Sequence, residues 1–131
     1  MKPKDKMLQI ADGMLLSEFS NVAKESQYRD VYGFNPGGES CEIEIKVACY
    51  DLYKEFSKDS KVRKHARYMI AHKEKRTKEV PTRFYFFVLG DSLARRALAL
   101  VDKHNLPYGV IKYKPGKDKT YIMRKSQKLG Y

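Results

Sequence analysis

Residues 83–89 read RFYFFVL, a nearly continuous apolar run that is typical of a central strand buried on both faces. A helical pattern follows over residues 91–104, with one apolar stripe and Asp91 or Ser92 as the predicted cap. Residues 108–113 form another strand pattern. Strand, helix and strand in this order predict a parallel crossover unit, which places the chain in the α/β class.

The first half of the chain predicts a β-hairpin. Residues 40–47 alternate strictly, with Glu42, Glu44 and Lys46 on one face and apolar side chains on the other. An Asn-Pro-Gly-Gly turn joins this strand to an earlier strand pattern at residues 29–34. We therefore predict a mixed β-sheet that begins with a hairpin and is flanked by helices.

The other predicted elements surround this hairpin and crossover. The chain has 131 residues and neither a repeat nor a long linker, so it predicts a single domain over residues 1–131 with a basic tail at about 114–131. The pattern predicts a helix at 4–12 that ends at Gly13, helices at 47–56 and 60–75, and a short strand at 120–123; residues 14–19 fit a strand or the end of the first helix.

Charge is unevenly distributed along the chain. Lys and Arg number 27 against 16 Asp and Glu, a net charge of +11. The net charge is −3 over residues 1–53, +6 over 54–79, +2 over 80–111 and +6 over 112–131. An excess of this size indicates a polyanionic partner, with nucleic acid ahead of a membrane surface or an acidic protein.

Several functional classes find no support in the sequence. No apolar run approaches the roughly 18–20 residues that span a bilayer, and the N-terminus does not resemble a secretory signal. Cys41 and Cys49 form no CxxC pair. The chain has no P-loop, GxSxG or GxGxxG motif. We expect a cytoplasmic protein in a reducing compartment, without membrane attachment.

Asp30, Glu44 and Lys46 are the residues that predict chemistry. In a hairpin, a carboxylate on each strand can meet at one point, and carboxylate oxygens suit Mg²⁺. A lysine on the same face can stabilise the charge that develops on a phosphate during hydrolysis. The same Glu-x-Glu-x-Lys pattern is typical of a solvent-exposed strand face, so the spacing alone leaves both interpretations open.

Four motifs in order resemble the PD-(D/E)XK nuclease superfamily, particularly small phage and bacterial members near the VRR-NUC, MmcB-type and Holliday-junction-resolvase-like groups. The blocks are E-I-E-I-K-V at 42–47, K-x-x-K-H at 61–65, P-T-R-F-Y-F-F-V at 81–88 and P-Y-G-V-I at 107–111. The resemblance covers roughly residues 14–129. It implies a restriction-endonuclease-like core.

The resemblance assigns a role to individual residues. Asp30 and Glu44 would be the metal ligands, with the Ile45 carbonyl as a third, and Lys46 would be the catalytic lysine. Glu18 falls where such folds can carry an additional acid, although a surface glutamate is an equal interpretation. The implied cofactor is Mg²⁺, for which Mn²⁺ would substitute.

Two positions depart from the pattern of the superfamily. Arg29 stands where the superfamily has proline, and Ala48 stands where serine is frequent. Neither departure removes a ligand, so the resemblance still predicts activity.

A basic helical segment follows the predicted site. Its cations are expected to contact DNA phosphates, although a solubilising helix face would carry the same residues. The segment contains Lys58, Lys61, Arg63, Lys64, His65 and Arg67.

Together these features predict a Mg²⁺-dependent endodeoxyribonuclease that acts on duplex, junction or branched DNA, as in DNA repair or recombination. The resemblance to resolvases implies a homodimer, and it suggests a bacterial or phage origin. One alternative is an inactive nuclease-fold protein that only binds nucleic acid. Another is a basic phage accessory protein that binds a protein partner.

Overall fold

A computed structural model describes residues 2–24, 31–36, 38–75 and 80–130. Within these ranges, no helix is both long enough and apolar enough to cross a bilayer. The elements are, in chain order, α1 (Pro3–Leu16), β1 (Asn21–Lys24), β2 (Val31–Phe34), β3 (Ser40–Lys46), α2 (Cys49–Lys54), α3 (Asp59–Glu74), β4 (Arg83–Leu89), α4 (Gly90–Lys103), β5 (Gly109–Lys114) and β6 (Lys119–Arg124).

The described strands form one six-stranded mixed sheet in the order β1-β2-β3-β4-β5-β6. β1, β2 and β3 pair antiparallel, and so do β5 and β6. β3, β4 and β5 pair parallel, with α3 and α4 as the crossovers. The α/β class, the hairpin and the parallel crossover are therefore confirmed, whereas the sequence pattern does not predict β1.

Helix α1 covers one face of the sheet. Met7, Ala11 and Leu15 recur every four residues and pack against Ile43 and Ile45 of β3. These side chains are all buried because the apolar positions of the alternating strand point toward α1. The spacing of the sequence thus determines which side of β3 enters this core.

The other three helices cover the opposite face of the sheet. Ala97 and Val101 of α4 pack with Phe84 and Phe86 of β4 and with Tyr108 before β5. All five residues are at most 1% exposed. The apolar run at 83–89 therefore forms the central strand, as its composition predicts.

The first helix is longer than predicted. α1 continues past Gly13 to Leu16. Gly13 is exposed and nothing lies within 4 Å of the position where its side chain would be. A glycine in a helix costs only about 1 kcal/mol relative to alanine, so the burial of Leu15 can extend the helix across it.

The predicted cap of α4 is wrong. α4 begins at Gly90, and its N-cap residue, Leu89, makes no side-chain capping hydrogen bond. Asp91 instead binds two lysines of β5, Lys112 at 2.8 Å and Lys114 at 3.2 Å. These ion pairs join the start of α4 to the neighbouring strand.

The basic C-terminal segment is docked on the domain. Residues 119–124 form β6, and the chain then runs beside the amino-terminal end of β4. The Leu129 amide donates to the Thr82 carbonyl at 2.6 Å, and the Ser126 hydroxyl accepts from the Phe84 amide at 3.1 Å. The burial of Leu129 anchors the segment, so residues 114–130 do not form a free arm.

Replacing Gly109 with alanine is expected to destabilise the sheet by about 1–3 kcal/mol, because a Cβ there would overlap the Tyr85 ring and the Arg124 carbonyl. Urea denaturation followed by circular dichroism measures the change. Gly116→Ala is the matched control, since Gly116 lies in the β5–β6 turn with nothing within 4 Å of a new Cβ. Equal stability of the two variants would contradict the prediction.

Candidate active site

The polar face of β3 is buried rather than exposed to solvent. Glu42 is 0% and Glu44 is 1% exposed. Both side chains lie beneath α3, on the face of the sheet opposite to α1. A solvent-exposed strand face would leave these carboxylates in water, so that interpretation of the Glu-x-Glu-x-Lys pattern is wrong.

Two lysines of α3 neutralise these carboxylates. Lys64 donates to Glu42 Oε2 at 2.5 Å and to Glu44 Oε1 at 3.1 Å. Lys61 donates to the same Glu44 oxygen at 2.8 Å. Oε2 of Glu44 has no hydrogen-bond partner among the described residues. One oxygen of Glu44 thus accepts from two ammonium groups.

A third carboxylate, Glu55, lies where α2 leads into α3. Its Oε1 lies 2.7 Å from Lys46 Nζ and 3.4 Å from Lys61 Nζ, in ion pairs that lack hydrogen-bond geometry within the described structure. Glu55 is fully buried. These residues form what we call the carboxylate–lysine cluster: Glu42, Glu44, Glu55, Lys46, Lys61 and Lys64.

Tyr68 and His65 complete the hydrogen bonds around the cluster. Tyr68 donates to Glu42 Oε1 at 2.6 Å. His65 lies between Glu55, whose Oε2 is 2.6 Å from Nε2, and the Tyr108 hydroxyl, 2.6 Å from Nδ1. Because both ring nitrogens are occupied, His65 positions Glu55 and its imidazole is held within the core.

The pKa values of two carboxyl groups in the cluster are lowered. Burial opposes ionisation of Glu44, but Lys64, Lys61 and Lys46 outweigh it, and the pKa of Glu44 lies below its ordinary value. Burial likewise opposes ionisation of Glu55, and the His65 hydrogen bond and Lys46 lower the pKa of its carboxyl. Glu44 and Glu55 are therefore ionised at neutral pH.

The pKa values of Lys61 and Lys64 are shifted upward by the neighbouring carboxylates. Burial opposes protonation of Lys64 and Lys61, but Glu42 and Glu44 outweigh it at Lys64, and Glu44 does so at Lys61. Both lysine pKa values are raised. The ammonium groups thus stay protonated even though they lie among buried groups.

The spacing of residues along α3 explains why the cluster forms. Lys61, Lys64 or His65, and Tyr68 recur every three to four residues and so share the helix face toward the sheet. Glu42 and Glu44 are two apart in β3 and share the strand face that meets this helix. The polar stripe of α3 therefore faces the polar side of β3, and their side chains form the ion pairs of the cluster.

The cluster opens toward solvent at one end. The side chains of Lys46 and Lys61 are 11% and 18% exposed, whereas that of Glu44 is 2% exposed. Lys46 is the last residue of β3, so this opening lies at the carboxyl end of the strand. A substrate would reach Lys46 and Lys61 before it reached the buried glutamates.

Comparison of the chain with protein-family models, curated proteins and solved structures finds no match. The structure by itself shows an α/β domain with a six-stranded mixed sheet and helices on both faces. The geometry of the cluster therefore supplies the argument for function.

Two of the predicted site residues belong to one ion network in the structure. Lys46 pairs with Glu55, and Lys61 joins Glu55 to Glu44. Asp30 lies outside the described residues. Ile45, between Glu44 and Lys46, buries its side chain on the α1 face of the sheet.

Glu18 does not join the cluster. It is exposed just beyond α1, and its charge acts on Cys41 and Tyr85, which belong to the α1 face. Burial, with a contribution from Glu18, raises the pKa of the Cys41 thiol to about 12. Glu18 and Glu44 thus lie on opposite faces of the sheet, so the structure does not support an additional acid at this position.

The predicted DNA-contacting cations divide into two groups. Lys58, Arg63 and Arg67 are exposed on or beside α3. Lys64 and His65 are buried and bound to glutamates, so neither side chain is available to a phosphate in this arrangement. Lys61 is the intermediate case, half-buried at the opening.

The described residues do not complete a metal site on their own. Among them, no group of three His, Cys, Asp or Glu side chains could hold a metal ion. Of the two predicted side-chain metal ligands, Glu44 lies within the described residues and Asp30 does not.

Sequence reasoning missed Glu55 and the structural role of Lys64. Glu55 is the acidic residue that precedes the basic segment, and nothing in its local pattern indicates burial. The available signal was the spacing of Lys61, Lys64 and Tyr68, which places polar side chains on the helix face that would ordinarily be apolar.

Proposed function

We propose that this protein is a divalent-metal-dependent DNA endonuclease of the PD-(D/E)XK kind, with its active site at the open end of the carboxylate–lysine cluster. The observation that carries the proposal is the placement of Glu44 and Lys46 in one buried ion network at the carboxyl end of β3. This is the pair that the resemblance identifies as metal ligand and catalytic lysine.

The energetic cost of the cluster supports a functional role. Removing charged groups from water costs several kcal/mol per ion, roughly what a good ion pair returns, and apolar side chains of similar size are often more stabilising. Perturbed pKa values of carboxylates and lysines in one cluster are typical of active sites. A core built for stability alone would not need three buried glutamates in this region.

Each cluster residue has a task in phosphodiester hydrolysis. Glu44 Oε2, Asp30 and the Ile45 carbonyl would hold Mg²⁺, which when bound polarises the scissile phosphate and lowers the pKa of a bound water. Lys61 and Lys64 keep Glu44 ionised. Lys46, held by Glu55 and partly exposed, is in a position to stabilise negative charge on a phosphate oxygen.

The exposed cations of the α3 segment support DNA as the substrate. Lys58, Arg63 and Arg67 are exposed, and they belong to the segment that supplies Lys61 to the opening. Contacts from such residues to phosphates give affinity without base readout and weaken as salt rises.

A protein of the same fold that binds DNA without cutting it is the second candidate. Two ammonium groups already neutralise Glu44 Oε1, and the described residues contain no set of three metal-binding side chains. Such a protein would bind DNA with a steep salt dependence and show no metal-dependent turnover.

We expect Mg²⁺-dependent cleavage of labelled duplex or branched DNA, abolished by EDTA and reduced about 100-fold or more by Glu44→Gln, by Lys46→Met and by Asp30→Asn. Gel electrophoresis of the products measures the rates. Glu39→Gln and Lys73→Met, which alter exposed residues of the same charge, serve as matched controls and should cut like the wild type.

Absence of cleavage on every substrate, with salt-dependent binding retained, would favour the second candidate. Cleavage that persists in Glu44→Gln and Lys46→Met would place the active site elsewhere.

A further inference from the structure

Helix α2 presents two tyrosine rings to solvent. Tyr50 is 63% and Tyr53 is 42% exposed, and both are among the exposed large hydrophobic residues of the described structure. Their separation of three residues puts them on the same side of the helix. Leu52, fully buried, fixes the other side of α2 to the core.

Cations accompany both rings. Lys54 Nζ lies 4.6 Å from the centroid of the Tyr50 ring. Arg96, which belongs to α4, donates to the Tyr53 hydroxyl at 3.1 Å. Both cations are exposed. We call these four residues the tyrosine surface: Tyr50, Tyr53, Lys54 and Arg96.

The tyrosine surface adjoins the open end of the carboxylate–lysine cluster. α2 lies in sequence between Lys46 and Glu55, and the 2.7 Å ion pair of those two residues closes the segment into a short loop over the end of β3. The two rings therefore lie within a few residues of Lys46, one of the two partly exposed lysines of the cluster.

We propose that the tyrosine surface binds the unpaired bases of single-stranded DNA beside the cleavage site, an inference that rests on the proposed function. Exposed aromatic rings stack on base faces, and neighbouring cations meet the phosphates of the same strand. A duplex hides its base faces, so this surface selects single-stranded or branched substrates. The substrate class then follows from α2 rather than from the cluster.

A second copy of the chain fits this surface less well. A two-fold contact through α2 would place the same cationic surface, with Lys54 and Arg96, on both sides of the interface. Like charges in such proximity are unfavourable, whereas a phosphate backbone neutralises them. Charge complementarity therefore favours nucleic acid as the occupant.

The test compares the affinities of catalytically inactive Glu44→Gln protein for a labelled oligothymidylate and for a duplex of the same length, by fluorescence anisotropy. Adding Tyr50→Ala and Tyr53→Ala is expected to weaken single-strand binding about tenfold or more, since stacking contributes strongly to each base. Duplex binding should change less than about threefold, because the phosphate contacts of α3 remain.

Two matched variants isolate the role of the rings. Tyr121→Ala removes a partly exposed tyrosine of β6, outside the surface, and should leave both affinities unchanged. Tyr53→Phe keeps the ring and removes the hydroxyl that Arg96 contacts, so it should retain most single-strand affinity. Circular dichroism of each variant confirms that the fold is intact.

Unchanged single-strand affinity in the double tyrosine variant, or an equal loss for both DNA forms, would overturn the inference and leave the proposed function standing. Tighter binding of oligouridylate than of oligothymidylate would overturn DNA as the occupant. A dimer that dissociates in the tyrosine variant would assign the surface to self-association instead. Failure of the unsubstituted surface to bind any DNA would overturn the proposed function itself.

Discussion

Lys64→Met is expected to lower the free energy of unfolding by about 3–5 kcal/mol, the usual cost of removing one partner from a buried ion pair. Lys64 Nζ contacts both Glu42 and Glu44, and its side chain is 8% exposed. Its loss removes an ammonium group from both buried carboxylates, and Glu44 then keeps only its contact with Lys61 among the ammonium groups that bind it in the described structure. Methionine keeps much of the chain length, so the change removes charge with little loss of packing. Urea denaturation followed by circular dichroism gives the value.

Two further variants separate charge from volume. Lys73→Met removes an exposed lysine from the same helix and should change stability by less than about 0.5 kcal/mol. Adding Glu42→Leu to Lys64→Met removes one uncompensated carboxylate and should recover at least about 1 kcal/mol. Two outcomes would show that the cluster is not electrostatically coupled. One is a Lys64→Met variant that loses as little stability as Lys73→Met. The other is a double variant whose loss of stability equals the sum of the losses measured for Lys64→Met and Glu42→Leu separately.

The sheet could be read from the sequence where a strand carries its own pattern. Strict alternation at 40–47 and the apolar run at 83–89 each predict a strand, and both strands are present in the structure, although the alternation does not predict burial of the polar face of β3. The end of α1 could not be read in this way, because burial of Leu15 decides it against the local preference of Gly13. Sequence patterns predict secondary structure poorly where tertiary contacts outweigh small local conformational preferences.

The site could be predicted only in part for a similar reason. Alternation shows that Glu42, Glu44 and Lys46 share a face, but it does not show what covers that face. The structure shows that α3 covers this face. The spacing of Lys61 and Lys64, which places both on the side of α3 toward the sheet, is the sign of this packing in the sequence. The pairing of each ammonium with a particular carboxylate depends on the three-dimensional arrangement of β3, α2 and α3.

Acidification below about pH 4 is expected to destabilise the fold steeply, because Glu44 and Glu55 have lowered pKa values in the folded state. The stability that they contribute is fully present above the unfolded carboxyl pKa of about 4.3 and is lost as pH falls through the folded values. Lys61 and Lys64 have raised pKa values, so their contribution is present below about pH 10.4 and is lost as pH rises through the folded values. Stability should therefore be greatest between these limits.

The acid limb can be assigned to the cluster with one pair of variants. Protonation of Glu55 would remove the negative charge that Lys46 contacts at 2.7 Å and one of the two carboxylate charges that Lys61 contacts, so acid weakens the ion pairs of the cluster. Glu55→Gln should be less stable than the wild type at neutral pH and should lose less stability between about pH 6 and about pH 3, since one linked proton is gone. Glu39→Gln, at an exposed position between β2 and β3, should keep the wild-type slope. Urea unfolding across this range measures the slope, and an unchanged slope in Glu55→Gln would attribute the acid sensitivity to carboxylates outside the cluster.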